Sequence, residues 1–133
     1  MSTLKRRRAS PRRRAAPRAD HAGWDNITEL LMLRSNGRCE RCGHDLTNGY
    51  RPVSRHHRIR RRDGGDRLSN LLLLCGTGTT GCHGHVTEHP GEAYANGWCI
   101  RALGNQDPER VPVRLTDGRL WLLLDDGSKR IVP

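Results

Sequence analysis

The sequence lacks phenylalanine altogether, and only 4% of its residues are aromatic. Hydrophobic residues make up 34% of the 133 positions, so a chain of this length buries only a modest apolar core. Domains with small cores commonly depend on a metal or disulfide staple, and five cysteines are available for one. The composition therefore predicts a small domain held together in part by its cysteines.

Long apolar segments are also missing. The longest strongly apolar runs cover residues 71–74 and 120–124, which suits strands and excludes a membrane-spanning helix. Arg12, Arg13 and Arg14 stand where the apolar part of a secretory signal would lie. We therefore expect a cytoplasmic chain that is not secreted and has no membrane partner. Its cysteines should stay reduced, which favours metal binding over disulfides.

Acidic residues are few, at 14 against 24 lysines and arginines, and the formal net charge is +10. Such an excess predicts attraction to polyanions, with DNA as the leading partner. Residues 1–20 hold eight of the basic residues and one acidic residue, with Ala, Pro and Ser between them. We expect this segment to be a disordered basic arm. It is either a solvated tail or a non-specific contact to phosphates.

The remaining pattern predicts an α+β fold. A helix is expected over residues 24–36, with Asp25 or Asn26 as its N-cap and Gly37 at its end. Strands are expected over 51–58 and 71–74, followed by a short helix that starts at Cys82 and His83 and ends near Pro90. The pair Asp117-Gly118 predicts a small C-terminal β-hairpin. We divide the chain into the arm (1–20), a central domain (21–95) and a β-rich C-terminal extension (96–133).

Four of the five cysteines are spaced as metal ligands. Cys39 and Cys42 form a Cys-x-x-Cys knuckle, and only Gly and Thr separate Cys75 from Cys82, so that loop folds back easily. We predict a structural Zn²⁺ site of these four residues, closed to substrate because all four ligands are thiolates. The alternatives are a disulfide or a redox pair, and a redox pair would call for a βαβ context that is absent. Cys99 is expected to be a small buried residue.

The order of motifs carries more information than any single motif. After Cys-x-x-Cys come the pair His56-His57, Gly64-Gly65, Asn70 within LSNL, Cys75, and then Cys82-His83. In this order the segment 38–89 resembles the HNH endonuclease family, also called ββα-metal nucleases, and the chain as a whole resembles small HNH proteins of bacteriophages. The resemblance implies a zinc-braced ββα-metal core, with the N-terminal helix and the C-terminal hairpin added to it.

The resemblance also assigns roles to residues. By position, His56 would bind a catalytic divalent metal and His57 would be the general base. Asn70 would orient His57 through a hydrogen bond across the hairpin, and His83 would be the second metal ligand. An imidazole suits proton abstraction near neutral pH. A metal sphere of imidazoles, water and phosphate fits Mg²⁺, Mn²⁺, Ni²⁺ or Zn²⁺.

Two further groups of residues complete the expected site. Some family members carry another metal-binding His four residues after the last one, where this chain has Thr87. His85 and His89 are spaced to face one ion, so each is either an added ligand or a solvated helix residue. Five arginines near the histidine pair are expected to contact the DNA backbone, or else to be ordinary solvated charge: Arg55, Arg58, Arg60, Arg61 and Arg62.

Three functions are therefore weighed. The first is a metal-dependent endonuclease that nicks DNA or cuts both strands, active in the host cytoplasm during phage DNA processing or packaging. The second is a non-catalytic zinc-binding module that binds DNA, which would leave the ordered His, Asn and His unexplained. The third is an assembly protein of a packaging machine with a degenerate nuclease core, for which the resemblance suggests a phage terminase as partner.

Overall fold

The computed structural model describes residues 25–133, and the predicted basic arm lies outside this range. Within it the fold is mixed, with four α-helices and two small antiparallel sheets. No helix in residues 25–133 combines the length and apolar character needed to cross a bilayer. The elements follow in the order α1 (Asn26–Ser35), β1 (Val53–His57), α2 (Arg61–Gly64), β2 (Leu71–Cys75), α3 (Gly81–Glu88), α4 (Pro90–Ala95), β3 (Val113–Arg114), β4 (Leu120–Leu123) and β5 (Lys129–Ile131).

The first helix begins and ends close to its predicted limits. The Asp25 carboxylate accepts a hydrogen bond of 2.9 Å from the Thr28 N–H, as an N-cap should. At the other end Asn36 adopts the left-handed conformation with φ of 57°, one residue before the expected Gly37. Asn tolerates this conformation because its side chain can hydrogen-bond locally. Gly37 follows with φ of 74° and completes the turn.

A two-stranded antiparallel hairpin of β1 and β2 forms the centre of the molecule, with His56 opposite Leu72 and His57 opposite Leu71. Every residue of β2 is buried. Since four consecutive leucines leave no polar face, this strand must be covered on both sides. Helices α1 and α3 both pack against it. The chain therefore runs from β1 through β2 into α3, with the hairpin and helix in direct contact.

The C-terminal region is a three-stranded sheet in the order β3-β4-β5. Its first turn lies at Asp117-Gly118, as predicted, with Gly118 at a positive φ of 80°. Helix α4 was not predicted. The helix expected to end near Pro90 does end at Glu88, and Pro90 begins α4. Proline is well suited to that position because the N–H it lacks has no partner inside the helix.

A buried ion pair joins the cysteine knuckle to the hairpin. The Arg34 guanidinium makes two hydrogen bonds with the Glu40 carboxylate, at 2.9 and 2.7 Å, and donates to the carbonyls of Leu68 and Leu71. Glu40 in turn accepts from the Leu73 N–H at 2.9 Å. Both side chains are at most 2% exposed, so the ion pair has a structural role. It fixes the turn that begins at Cys39 against β2.

Arg58, expected to contact DNA, is buried instead, with 2% of its surface exposed. Its guanidinium donates to four backbone carbonyls, those of Gly97, Ser69, Pro108 and Val111, at 2.7 to 3.2 Å. Burial lowers the pKa of this side chain to about 9, which still leaves it charged at neutral pH. The assignment of Arg58 to the DNA backbone is therefore wrong. This residue joins the hairpin to the C-terminal region.

Replacing Arg58 with methionine is expected to destabilise the protein by about 3 kcal/mol or more, because several buried carbonyls lose their donors at once. Urea unfolding of the purified variant measures this directly. Arg62→Met is the matched control, since the Arg62 side chain is 79% exposed, and its stability should stay within about 0.5 kcal/mol of the parent. Equal stabilities of the two variants would contradict a structural role for Arg58.

Candidate functional site

The four predicted cysteine ligands come together. Their sulfur atoms all lie within 4.8 Å of one another, and those of Cys42 and Cys75 are 3.9 Å apart. All four cysteines are free, so this cluster is not a disulfide. The backbone turns toward it, with the Cys75 N–H donating to Cys39 Sγ and the Cys82 N–H donating to Cys75 Sγ, each at 3.4 Å. Such a cluster is able to hold one metal ion.

The ionisation of the four thiols is coupled. A hydrogen bond from Cys82 lowers the pKa of the Cys39 thiol to about 4. The same hydrogen bond, together with burial, raises the pKa of Cys82 above its usual value. One negative sulfur therefore makes the next harder to ionise, and four thiolates can coexist only around a positive ion. Arg41 adds a positive charge from outside, donating to Cys82 Sγ at 3.3 Å.

His56 and His83 form a second candidate metal-binding pair. Their ring centres are 5.3 Å apart and their planes meet at 65°. Two imidazoles on one tetrahedral ion, with metal–nitrogen bonds of about 2.1 Å, would have centres roughly 5 Å apart. The strand β1 supplies His56 and the first turn of α3 supplies His83, so the packing of that helix on β2 sets the separation.

The ring nitrogens of this pair are in the state that a ligand needs. His56 Nε2 donates to the Trp98 carbonyl at 2.8 Å, which leaves Nδ1 with its lone pair. Burial lowers the pKa of His56 to about 4 and that of His83 below its usual value, so both rings are neutral at pH 7. His83 Nδ1 is buried and has no hydrogen-bond partner among residues 25–133. A buried nitrogen left without a partner is consistent with a ligand position.

His57 lies beside this pair and has a partner that the sequence did not reveal. Its Nε2 is 2.8 Å from Asp66 Oδ1, and the carboxylate can only accept this hydrogen bond. The Nε2 atom therefore carries an N–H, and in the neutral ring the lone pair is on Nδ1. The hydrogen bond from His57 opposes the effect of burial, and the pKa of Asp66 is lowered. In the sequence Asp66 simply follows the Gly64-Gly65 pair, and its relation to His57 depends on how that turn folds back.

Asn70 acts on this turn and not on the His57 ring. Its side-chain oxygen accepts from the Ile59 N–H at 2.8 Å, and its Nδ2 donates to the carbonyls of Ile59 and Gly65 at 2.9 and 3.0 Å. In place of the expected direct hydrogen bond to His57, Asn70 therefore makes hydrogen bonds that hold the two ends of the turn 59–65 together. Gly64 is required here, since a Cβ would lie 2.5 Å from Asn70 Nδ2. These hydrogen bonds fix the turn that directly precedes Asp66, and therefore the position of Asp66.

His85 and His89 lie elsewhere. Their rings stack on each other with centres 4.1 Å apart, and His85 Nε2 is 2.8 Å from the Glu92 carboxylate. His89 Nδ1 donates to the His85 carbonyl. At about 100° per residue, His83 points to the opposite side of α3 from His85, and His89 lies just beyond the end of that helix. The expectation that either joins the metal bound by His56 and His83 is therefore not supported by this geometry.

The other four arginines of the predicted DNA-binding set differ in their availability. Arg60, Arg61 and Arg62 are 71%, 76% and 79% exposed and have only loose contacts, of 3.8 to 4.0 Å, with carboxylates. Arg55 is 32% exposed and pairs with Asp25 at 2.7 Å, which ties β1 to the start of α1. Three arginines on α2 and just before it are thus free to meet a phosphate backbone.

A cleft of about 530 Å³ opens next to the histidine pair. Its lining includes His56 and His57 of β1, Tyr94 of α4, and Cys99 and Arg101 from the segment after α4. Cys99 is half-buried, and its Sγ is 3.6 Å from His56 Nε2, so it is not the fully buried residue that was expected. No motif in the sequence indicates that residues 99–103 line this cleft, and they lie beyond the boundary placed at residue 95. In comparisons of the whole chain with protein-family models, curated proteins and solved structures, nothing matched.

Proposed function

We propose that this chain is a metal-dependent endonuclease of the HNH type that hydrolyses DNA phosphodiester bonds. The observation that carries the proposal is the pairing of His56 with His83 next to a cleft that His56 and His57 line. His56 and His83 have ring centres 5.3 Å apart, and His57 lines the same cleft with its Nδ1 free and its Nε2 held by Asp66. The run of hairpin strands β1 and β2 into helix α3 agrees with the ββα arrangement that the family resemblance implies.

Each of the residues around the cleft would have a separate role in hydrolysis. His57 would accept a proton from the attacking water at Nδ1, and the Asp66 carboxylate would stabilise the imidazolium that results. Asp66 also fixes which nitrogen is protonated, since its hydrogen bond requires the N–H on Nε2. Asn70 keeps the loop closed so that Asp66 stays in place. The exposed Arg60, Arg61 and Arg62 would hold the DNA backbone without reading its sequence.

Two metal ions with separate roles fit the residues present. His56 and His83 would hold one catalytic divalent ion, and when bound this ion supplies Lewis-acid stabilisation of the charge that develops on the phosphate oxygens. The four cysteines would hold a structural Zn²⁺. Sulfurs on a tetrahedral zinc lie about 3.8 Å apart, close to the 3.9 Å between Cys42 and Cys75. Because Cys82 and His83 are adjacent, the zinc would also fix the start of α3 and with it the position of His83.

A plasmid cleavage assay tests the proposal. Zinc-loaded protein is mixed with supercoiled DNA and with Mg²⁺, Mn²⁺, Ni²⁺ or Zn²⁺ in turn, and nicked and linear products are separated on a gel. We expect cleavage with at least one of these ions and none without added metal. Salt-sensitive DNA binding with no cleavage under any ion would instead support the non-catalytic zinc-binding module.

A further inference from the structure

The lining of the cleft has one sign of charge. Its charged residues are three arginines, and no aspartate or glutamate is among the lining residues. Arg58 is buried in the wall, whereas Arg60 and Arg101 are exposed at the surface of the cleft. Arg101 has no carboxylate partner within residues 25–133. A concave surface with this charge attracts an anion.

Among the residues that line the cleft, an arginine also stacks on an aromatic ring. The Arg101 guanidinium carbon lies 4.0 Å from the centre of the Tyr94 ring, so the two planar groups cover each other. Tyr94 is 37% exposed, and Leu103, which also lines the cleft, is 90% exposed. Nucleic-acid bases stack on tyrosine rings and on arginine guanidinium planes alike. The cleft lining therefore combines positive charge, which attracts a phosphate, with a surface on which a base can stack.

We propose that this cleft binds one unpaired nucleotide of the DNA strand next to the scissile phosphate. The base would stack on the Arg101–Tyr94 pair, and Arg60 would contact the phosphate. The position next to the scissile bond rests on the proposed nuclease function, but the binding itself does not need cleavage. The preferred substrate would thus contain a single-stranded segment, such as a flap, gap or displaced strand.

The preference for an unpaired nucleotide follows from the stacking. In a duplex both faces of each base are already covered, and exposing one requires unstacking that costs a few kcal/mol. A single strand avoids this cost. The volume of about 530 Å³ lies within the range of about 300–1,000 Å³ that is typical of pockets for small ligands, whereas a duplex is far too wide to enter it.

Binding measured without cleavage tests the inference. The protein carries His57→Ala, is loaded with zinc and receives no other divalent ion. Its affinity for a fluorescent single strand of about 12 nucleotides, and for the corresponding duplex, is measured by anisotropy. About 200 mM salt weakens the general attraction of the basic residues. We expect Arg101→Gln and Tyr94→Leu each to weaken single-strand binding by roughly tenfold and to leave duplex binding much less affected.

Arg130→Gln is the matched control, because it removes the same charge from an exposed position on β5, remote in sequence from the cleft. Equal losses for Arg101→Gln and Arg130→Gln would overturn the inference, as would equal losses for single strand and duplex. Failure of the proposed nuclease function can be distinguished from failure of this inference. If the parent protein cleaves no DNA but the single-strand effect of Arg101→Gln remains, the cleft still binds a nucleotide. If the parent cleaves and Arg101→Gln binds single strands normally, only the inference is lost.

Discussion

The His57→Ala variant is expected to lose metal-dependent plasmid cleavage by about 10²–10⁴-fold, the usual contribution of a general base. His57 is 22% exposed and bears no backbone-anchoring contact, so the fold should survive its removal. Initial rates of nicking, measured on supercoiled plasmid at saturating metal, give the effect. Zinc content and thermal unfolding should match the parent, which separates a loss of chemistry from a loss of structure.

Three further variants make this result specific. Asp66→Asn keeps His57 but weakens the hydrogen bond that orients it, so its rate should fall by less, about tenfold or more. Asp63→Asn is its matched control, because Asp63 makes only loose contacts with Arg60 and Arg62, and its rate should be unchanged. His89→Ala should also cleave normally, since its ring stacks on His85. A His57→Ala variant as active as His89→Ala would remove His57 from the mechanism.

The parts of the fold that sequence predicts well are those set by short-range rules. The Asp25 cap, the strand of consecutive leucines and the turn at Asp117-Gly118 each follow from a few adjacent residues. The cysteine cluster was also predictable, although Cys42 and Cys75 are far apart in the chain, because two spaced thiol pairs have few other uses. In these cases the identity of the residues limits the possible structures.

The parts that sequence missed depend on long-range packing. Arg58 looked like its neighbours, but its partners Gly97, Pro108 and Val111 lie some 40 to 50 positions away, and only the folded chain shows that it is enclosed. The same holds for Trp98, whose carbonyl fixes the tautomer of His56. A boundary at residue 95 therefore separates a central domain from residues that complete its site. For the same reason, the sequence does not predict that Arg101 lines the cleft.

Removal of the structural metal is expected to unfold the domain. Structural zinc contributes about 10–16 kcal/mol to the folding of small zinc domains, whereas the net stability of a typical domain is about 5–15 kcal/mol. The metal-free chain should therefore lack a stable fold. Cys75→Ser tests this, because Cys75 is 1% exposed and its sulfur meets both the Cys42 sulfur and the Cys82 N–H. We expect this variant to have lost bound zinc and its cooperative thermal transition, and a strong chelator to do the same to the parent.

The fifth cysteine provides the control. Cys99→Ser changes the same atom at a half-buried position outside the cluster, so one zinc per chain and the parent's melting temperature should both be retained. A Cys75→Ser protein with full zinc content and unchanged melting would mean that the four sulfurs do not share an ion. Because Cys82 precedes His83 at the start of α3, that result would also remove the reason for His83 to be held near His56. Stability and catalysis would then have to be explained separately, whereas one metal-fixed helix start accounts for both.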